Sequence, residues 1–279
     1  MFHVKKMKAD DFPFAVQLAN EMNWNMAKED YEFMLKLEPQ GCLVLFHNRE
    51  RLGIATSISF GKIGWFGNLI VKEEFRGKGA GNLLINHCID YLKKRGVETI
   101  GLYAYPQLVK FYRSFDFSCD IDFLVLKGKA NFPPTHEILK EANDQDVPAI
   151  INFDCQYFGA NRKKLLKLIL LNKYNLCYIS TENSEITGYV ATKVHGKTVE
   201  VGPLICQADR EEEAELLLKT VLSRLSDLEV FMYIPEKETS LLNILHKAGF
   251  KEDFRVVRMF SGPAVKKNCI YAAESLERG

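Results

Sequence analysis

From Val71 to Asn82 the chain reads Val-Lys-Glu-Glu-Phe-Arg-Gly-Lys-Gly-Ala-Gly-Asn. An apolar run precedes this stretch and a helical pattern follows it. Gly77, Gly79 and Gly81 let successive backbone N–H groups converge, and the unpaired amides at a helix start carry roughly half a positive charge. Arg76 and Lys78 add full charges at the same point. The chemistry on offer is anion binding. The spacing is not G-x-G-x-x-G, because Asn82 stands where the third glycine would be. Nor is it a Walker loop, since no Gly-Lys-Ser/Thr follows. Taken alone, a glycine-rich turn fits a phosphate cradle or a plain flexible connection.

Other reactive side chains form no such constellation. His87 and Cys88 are neighbours on a helix and point about 100° apart, so they cannot act as a nucleophile–base pair. The six histidines show no metal-ligand spacing, and no metal is expected. The seven cysteines, Cys42, Cys88, Cys119, Cys155, Cys177, Cys206 and Cys269, contain no C-x-x-C pair. That pattern reads as reduced thiols in a cytoplasmic protein, not as a disulfide framework.

The turn needs a strand before it and a helix after it, and periodicity supplies both. Strands are expected at Phe2 to Met7, Cys42 to His47, Leu52 to Phe60 and Gly64 to Val71. Asp10 and Asp11 cap a helix running to about Met22, with Pro13 in its first turn. Further helices span Lys28 to Leu37, Gly79 to Arg95 and Gln107 to Phe115, with strands at Thr99 to Tyr105 and Phe117 to Leu126. Gly128 to Pro134 has two prolines and no periodic pattern, which places a linker between domains 1–128 and 135–279.

The second half repeats this order. Strands are expected at Ile138 to Glu141, Leu176 to Ser180, Ile186 to Val194, Thr198 to Cys206, Val230 to Ile234 and Phe254 to Phe260. Helices fall at Asp146 to Tyr157, Lys163 to Leu171, Arg210 to Leu225 and Leu241 to Ala248. Gly67-Asn68-Leu69-Ile70 aligns with Gly202-Pro203-Leu204-Ile205, and Asp11 precedes Gly67 by 56 positions, as Asp146 precedes Gly202. Phe115-Asp116-Phe117 aligns with Ala248-Gly249-Phe250. The fold class is α/β in two tandem copies, each a mostly antiparallel mixed sheet flanked by helices.

Composition agrees. A chain of 279 residues that is 47% apolar suits two domains with their own cores. Its 37 basic and 36 acidic side chains leave a net charge of +1, against a general nucleic-acid binder. Leu165 to Leu171 is interrupted by Lys167 and flanked by Lys163, Lys164 and Lys173. It reads as a helix packed on its own core, so no membrane partner is expected. Met1 to Lys6 has no apolar region behind its charges, unlike a secretory signal.

Strand, Arg76-x-x-Gly79-x-Gly81, helix, strand, and a short helix bearing Tyr112 ahead of Phe115-Asp116-Phe117 together resemble the GNAT superfamily of acyl-CoA-dependent N-acyltransferases. The likeness covers the whole first half. With Trp24, Asp30 and Phe158 to Arg162, the paired halves resemble its tandem-domain subgroup. The resemblance implies direct transfer of an acetyl group from acetyl-CoA to an amine of a small metabolite, in a ternary complex. The backbone of Leu69, Ile70 and Val71 would pair with the pantetheine arm, and one amide, that of Leu69, would polarise the thioester carbonyl. Arg76, Gly77, Lys78, Gly79, Ala80, Gly81 and Asn82 would hold the pyrophosphate. Tyr112 would donate a proton to the departing thiolate; its plain alternative is an amphipathic helix residue packing on the sheet. Asp116 departs from the family, which has glycine there, and so does Tyr105-Pro106, where many members place a polar Asn.

Trp24, Tyr31, Trp65, Tyr103 and Tyr105 fall where an acceptor pocket would lie and could stack on a flat group or cage a cation. Core packing is the other reading and fits Tyr103 better than Trp24. Asp30, with Glu29, lies on the helix bordering the acceptor side. Arg162 would pair with an acceptor carboxylate, unless Asn161 merely caps the next helix. The strand Gly64 to Asn68 has no carboxylate, so no general base is assigned. In the second half, Gln207 to Glu213 has no glycine and four acidic residues, which would repel a pyrophosphate. Leu245 stands at the position of Tyr112. One active site is expected, in the first domain. A sensor that binds acyl-CoA without turnover and a protein N-acetyltransferase are the alternatives; oligomeric state is not legible.

Overall fold

Two aspartates open the two halves in the same way. Asp11 accepts a hydrogen bond from the Lys8 amide at 2.8 Å, and Asp146 accepts one from the Asn143 amide at 2.9 Å. Each precedes a helix, α1 (Phe12–Asn20) and α5 (Val147–Phe158), that carries proline in its first turn. There the missing N–H would have had no partner anyway. A cation closes each arrangement: Arg51 Nε reaches Asp11 at 2.7 Å, and Lys140 Nζ reaches Asp146 at 2.5 Å. The spacing that suggested a duplication therefore repeats a capping device.

The computed structural model describes residues 1–24, 26–130, 132–133, 139–263, 265 and 268–279. In the first half the strands are β1 (Phe2–Lys6), β2 (Cys42–His47), β3 (Glu50–Ser59), β4 (Ile63–Val71), β5 (Thr99–Ala104) and β6 (Ser118–Lys129). The helices are α1, α2 (Lys28–Leu37), α3 (Ala80–Lys94) and α4 (Val109–Arg113). The second half contributes β7 (Lys140–Glu141), α5, α6 (Lys163–Leu170), β8 (Cys177–Glu182), β9 (Glu185–His195) and β10 (Thr198–Gln207). It continues with α7 (Glu211–Leu222), β11 (Glu229–Pro235), α8 (Thr239–Lys247), β12 (Lys251–Ser261) and β13 (Cys269–Ala272).

By packing, the chain falls into two compact units, Met1–Leu102 with Arg278, and Tyr103–Glu277 with Gly279. Within the first, β1 to β5 lie in sequence order, antiparallel except for the parallel pair β4/β5. Within the second, the order is β12-β6-β11-β10-β9-β8-β7, with β13 on β10. The packing boundary lies earlier than the division read from composition, because β6 is hydrogen-bonded along both edges by strands of the second half. Gly128 pairs with Val230, and Val125 with both Tyr233 and Phe254. Gly128 and Lys129 are thus strand and not linker. Residues 131 and 134 of the expected linker, and Ile138 of the expected strand, lie outside the described residues.

The cores follow the predicted periodicities. On α6, Leu165, Leu166 and Ile169 are buried while Lys163 and Lys167 face solvent. That is the amphipathic stripe read from the sequence, at about 1.5–3 kcal/mol per buried aliphatic side chain. Among the described residues no helix is long and apolar enough to cross a membrane. The β13 strand was not anticipated; its short run Cys-Ile-Tyr-Ala is the only sequence signal for it.

All seven cysteines are free thiols, and only Cys119 is exposed, with Cys155 partly so. Burial pushes the Cys42, Cys88 and Cys206 thiols up to about 12. A thiol reacts as thiolate, so at pH 8 these groups are inert in the folded chain. In an Ellman titration we expect Cys119 to react fast and Cys155 more slowly, with the others appearing only in denaturant. Rapid labelling of any buried cysteine would contradict this packing.

Candidate functional site

The two edges of β4 are treated differently. Toward β3 it is paired almost to its end, with Thr56 opposite Gly67, Ile54 opposite Ile70 and Gly53 opposite Val71. Toward β5, pairing covers only Ile63 to Trp65 against Thr99 to Gly101. Beyond Trp65 that edge of β4 has no strand partner among the described residues of this unit. The register shifts between Ile54 and Thr56, because Asn68 and Leu69 face a single residue of β3, and Asn68 adopts φ 50°. This is a β-bulge, which bends and twists its strand. The bare segment contains Leu69, Ile70 and Val71, the three residues expected to pair with an extended ligand.

The glycine-rich turn follows directly. Arg76 Nε donates to the Val71 carbonyl at 2.9 Å and Nη2 lies 3.4 Å from Met22 Sδ, so Arg76 braces the end of the strand. Gly77 and Gly79 sit at φ 71° and 83°, a region that disfavours side chains. A Cβ at either would meet nothing within 4 Å, so backbone conformation and not crowding calls for glycine here. Gly79 is the N-cap of α3. The first α-helical bond runs from the Leu83 amide to the Gly79 carbonyl at 3.1 Å. None of the amides from Gly77 to Asn82 has a backbone acceptor among the described residues. A row of unpaired donors at a 15-residue helix is what binding an anionic diphosphate requires. Lys78, exposed and 5.7 Å from the Phe75 ring centroid, adds charge at the rim.

The equivalent features of the second repeat are closed. There too the register shifts at Gly202-Pro203, between Val201 and Leu204, and parallel pairing with β11 ends at Glu200. Yet β13 lies along the freed edge of β10, with Leu204 opposite Ala272, Ile205 opposite Tyr271 and Gln207 opposite Cys269. The turn before α7 is occupied by its own side chains. Arg210 forks to Gln207, Glu213 and Glu182, and Thr187 donates to Glu213. The chain itself fills the slot that the first repeat leaves open.

The remaining candidate residues are scattered. Tyr112 lies on α4 in the second packing unit, 6% exposed, with ring centroids of Phe111 and Phe117 at 5.3 and 6.3 Å. Asp116, after it, adopts φ 63°, and Gly249 in the second repeat adopts 86°. The aspartate thus holds a glycine conformation, and the departure leaves the helix end unchanged. Of the aromatic set, Tyr31 and Trp65 are core residues, Tyr31 donating to the Ala15 carbonyl at 3.1 Å. Trp24 and Tyr105 stay partly exposed, Tyr105 lying 5.4 Å from Phe254. Burial raises the Tyr103 phenol well above its usual range. Asp30 caps α2 by accepting from the Ala27 amide at 2.9 Å.

Arg162 must be corrected. It is fully buried, its Nε and Nη2 donate to both oxygens of Asp154 at 3.1 and 2.5 Å, and Nη1 donates to the Gly279 carbonyl at 2.6 Å. Tyr189 donates to Asp154 as well, and the guanidinium lies 3.9 Å from the Phe158 ring centroid. A bidentate buried pair of this kind is structural, and a guanidinium sealed from solvent does not meet a substrate carboxylate. Asn161, for its part, accepts from the Lys163 amide at 2.9 Å at the start of α6. Among the described residues no group of three or more His, Cys, Asp or Glu is placed to hold a metal.

Comparison with known proteins bears on both halves. The model of the acetyltransferase (GNAT) family matches residues 5–117, and that of an acetyltransferase (GNAT) domain matches 150–272. The holothin acyltransferase of Pseudoalteromonas sp. (strain SANK 73390) is 23% identical over 272 residues, covering 94% of this chain and 91% of that protein. A crystal structure from Pyrococcus horikoshii superposes with a TM-score of 0.84 at 21% identity, over 100% of this chain and 96% of the other. A tandem GNAT protein from the clavulanic acid biosynthesis pathway superposes at 0.64 and 12% identity, over 95% and 100%.

The open turn makes a direct prediction. Gly79→Val places a β-branched residue at φ 83°, at a cost of roughly 1–2 kcal/mol, and so strains the backbone that presents the free amides. If the turn is an acyl-CoA cradle, calorimetry with acetyl-CoA as the probe should show affinity falling at least tenfold, with only that modest loss in chemical stability. Affinity within twofold of the unaltered chain would exclude the turn as the anion cradle.

Proposed function

As the chain belongs to the GNAT acyl-CoA N-acyltransferases, with two such domains in tandem, we propose that it moves an acetyl group from acetyl-CoA to an amine of a small metabolite. The observation that carries this reading is the bare edge of β4 running straight into unpaired amides at α3. An extended arm ending in a diphosphate needs those two features in that order. We assign the site to residues 1–128 and treat 135–279 as the repeat whose own slot is filled by β13. Seven free thiols support a reducing, cytoplasmic setting.

The residues fit acetyl-CoA, which when bound supplies an activated acyl thioester. The backbone of Leu69, Ile70 and Val71 holds the arm as an added strand. The Leu69 amide donates to the acyl carbonyl, and a preorganised donor of this type is worth about 3–4 kcal/mol. The amides of Gly77 to Asn82 hold the diphosphate, with Arg76 bracing the turn and Lys78 at its rim. An amine of pKa near 10 arrives as ammonium and sheds a proton before its lone pair attacks. The new C–N bond forms as C–S breaks; the Tyr112 hydroxyl would supply a proton to the leaving sulfur, and the proton lost by the nitrogen would restore the hydroxyl through solvent. Trp24, Asp30 and Tyr105 are the acceptor-side candidates; Arg162 is excluded by its burial.

Release of free coenzyme A should be followed across tyramine, spermidine, glucosamine, amino acids and short peptides. Turnover with a small amine, and one acetyl-CoA bound per chain, is the expected result. Preference for peptides would make the protein a protein acetyltransferase, and binding without turnover would make it a sensor. Tyr112→Phe should lower kcat on the order of 10²-fold, the low end for a general acid because a thiolate leaves well. A rate within twofold would remove Tyr112 from the chemistry.

A further inference from the structure

At the bulge of β4, Asn68 is 4% exposed, and its side chain is only half satisfied. Its Nδ2 donates to Thr56 Oγ1 at 3.2 Å, and Thr56 in turn donates its hydroxyl to the Gly67 carbonyl at 3.3 Å. Since the Thr56 proton is committed to Gly67, the amide cannot be turned the other way without losing its bond to Thr56. Asn68 Oδ1 is left buried with no partner among the described residues. Buried acceptors are almost always paired, and each exception calls for an account.

Backbone strain does not provide one. A φ of 50° explains why Asn or Gly is tolerated at this position. It does not explain why a large amide is buried with its oxygen bare. The register shift at the matching place in the second repeat is made with Pro203, which has no side-chain acceptor, so the bulge itself does not need one. The repeat with the closed slot lacks the oxygen, and the repeat with the open slot has it.

Which face the amide occupies follows from alternation along β3. A Cβ on Gly53 would meet Leu84 of α3, so odd positions face α3 and Thr56 faces the other way. Helices α1 and α3 both pack on β3 and β4 but not extensively on each other, which puts them on opposite faces. Asn68, bonded to Thr56, therefore lies on the face covered by α1 and by α2, which packs on α1. Trp24 and Asp30, the acceptor-side candidates, belong to that loop and helix. The next residue, Leu69, carries the amide assigned to the acyl carbonyl.

We propose that Asn68 Oδ1 accepts a hydrogen bond from the incoming amine and holds its nitrogen against the acyl carbonyl, selecting primary amines. The inference rests on the transferase reading above. A neutral primary amine has two N–H groups. One proton must leave as the C–N bond forms, and the other is free to bond Asn68, which accepts no proton itself. A secondary amine has a single N–H, which is the proton to be lost, so it cannot satisfy Asn68 as well.

Asn68→Gly keeps the left-handed backbone accessible and removes only the amide. The probes are the fastest primary amine of the acceptor panel and its N-methyl derivative. We expect kcat/KM for the primary amine to fall about tenfold and its advantage over the N-methyl compound to shrink by a similar factor. Acetyl-CoA affinity measured by calorimetry should stay within twofold. Undiminished kcat/KM, an unchanged advantage, or a tenfold loss of acetyl-CoA affinity (which would give the oxygen to the pantetheine arm) each overturns the assignment while leaving the transferase standing. An unaltered chain that acetylates no amine overturns both.

Discussion

A β-strand can lose its neighbour only if something else meets its N–H and C=O groups, and each one left unmet in a buried place costs about 1–3 kcal/mol. Both repeats face this problem at the same point, where a bulge follows the last parallel pair. They resolve it in opposite ways. In the second, the chain returns as β13 and completes β10 permanently. In the first, the edge is kept bare, a form that makes sense if a ligand with peptide-like amides completes it. The difference between an open edge and a closed sheet comes down to whether four residues of the same chain occupy the gap.

The helix starts follow the same division. At α3 the unpaired amides stand with glycine, Arg76 and Lys78, so the dipole and the side chains both favour an anion. At α7 three glutamates occupy the first turn and Arg210 is spent on Glu182 and Glu213. Carboxylates at a helix N-terminus stabilise the helix by the interaction that would otherwise hold a diphosphate. Once Glu211 to Glu213 are in place, the positive end is already neutralised, and a ligand phosphate would have to displace charge instead of meeting it.

The conformation of the turn was legible because it depends on local backbone properties: glycines at positive φ, a helix start and a strand end are all written in consecutive residues. The duplication was legible for a related reason, since Asp11 and Asp146 cap by contacts three residues away. What could not be read depends on partners distant in sequence. Arg162 is as plausible on paper as a substrate ligand as it is a structural ion, and only its burial with Asp154, eight residues away, and the Gly279 carbonyl decides between them. Tyr31 and Trp65 were indistinguishable from Trp24 by type, and packing separates them. The short β13 has too few residues for a periodicity, and its place is set by the bare edge of β10.

The sheet of the second repeat is built around a strand from the first, β6. That strand belongs to the first repeat by sequence, yet both its edges are bonded by β11 and β12. Both strand partners of β6 among the described residues come from the second repeat. Helix α4, which ends four residues before β6, belongs to the same packing unit. The division by packing therefore does not follow the division by repeat, since α4 and β6 go with the second half.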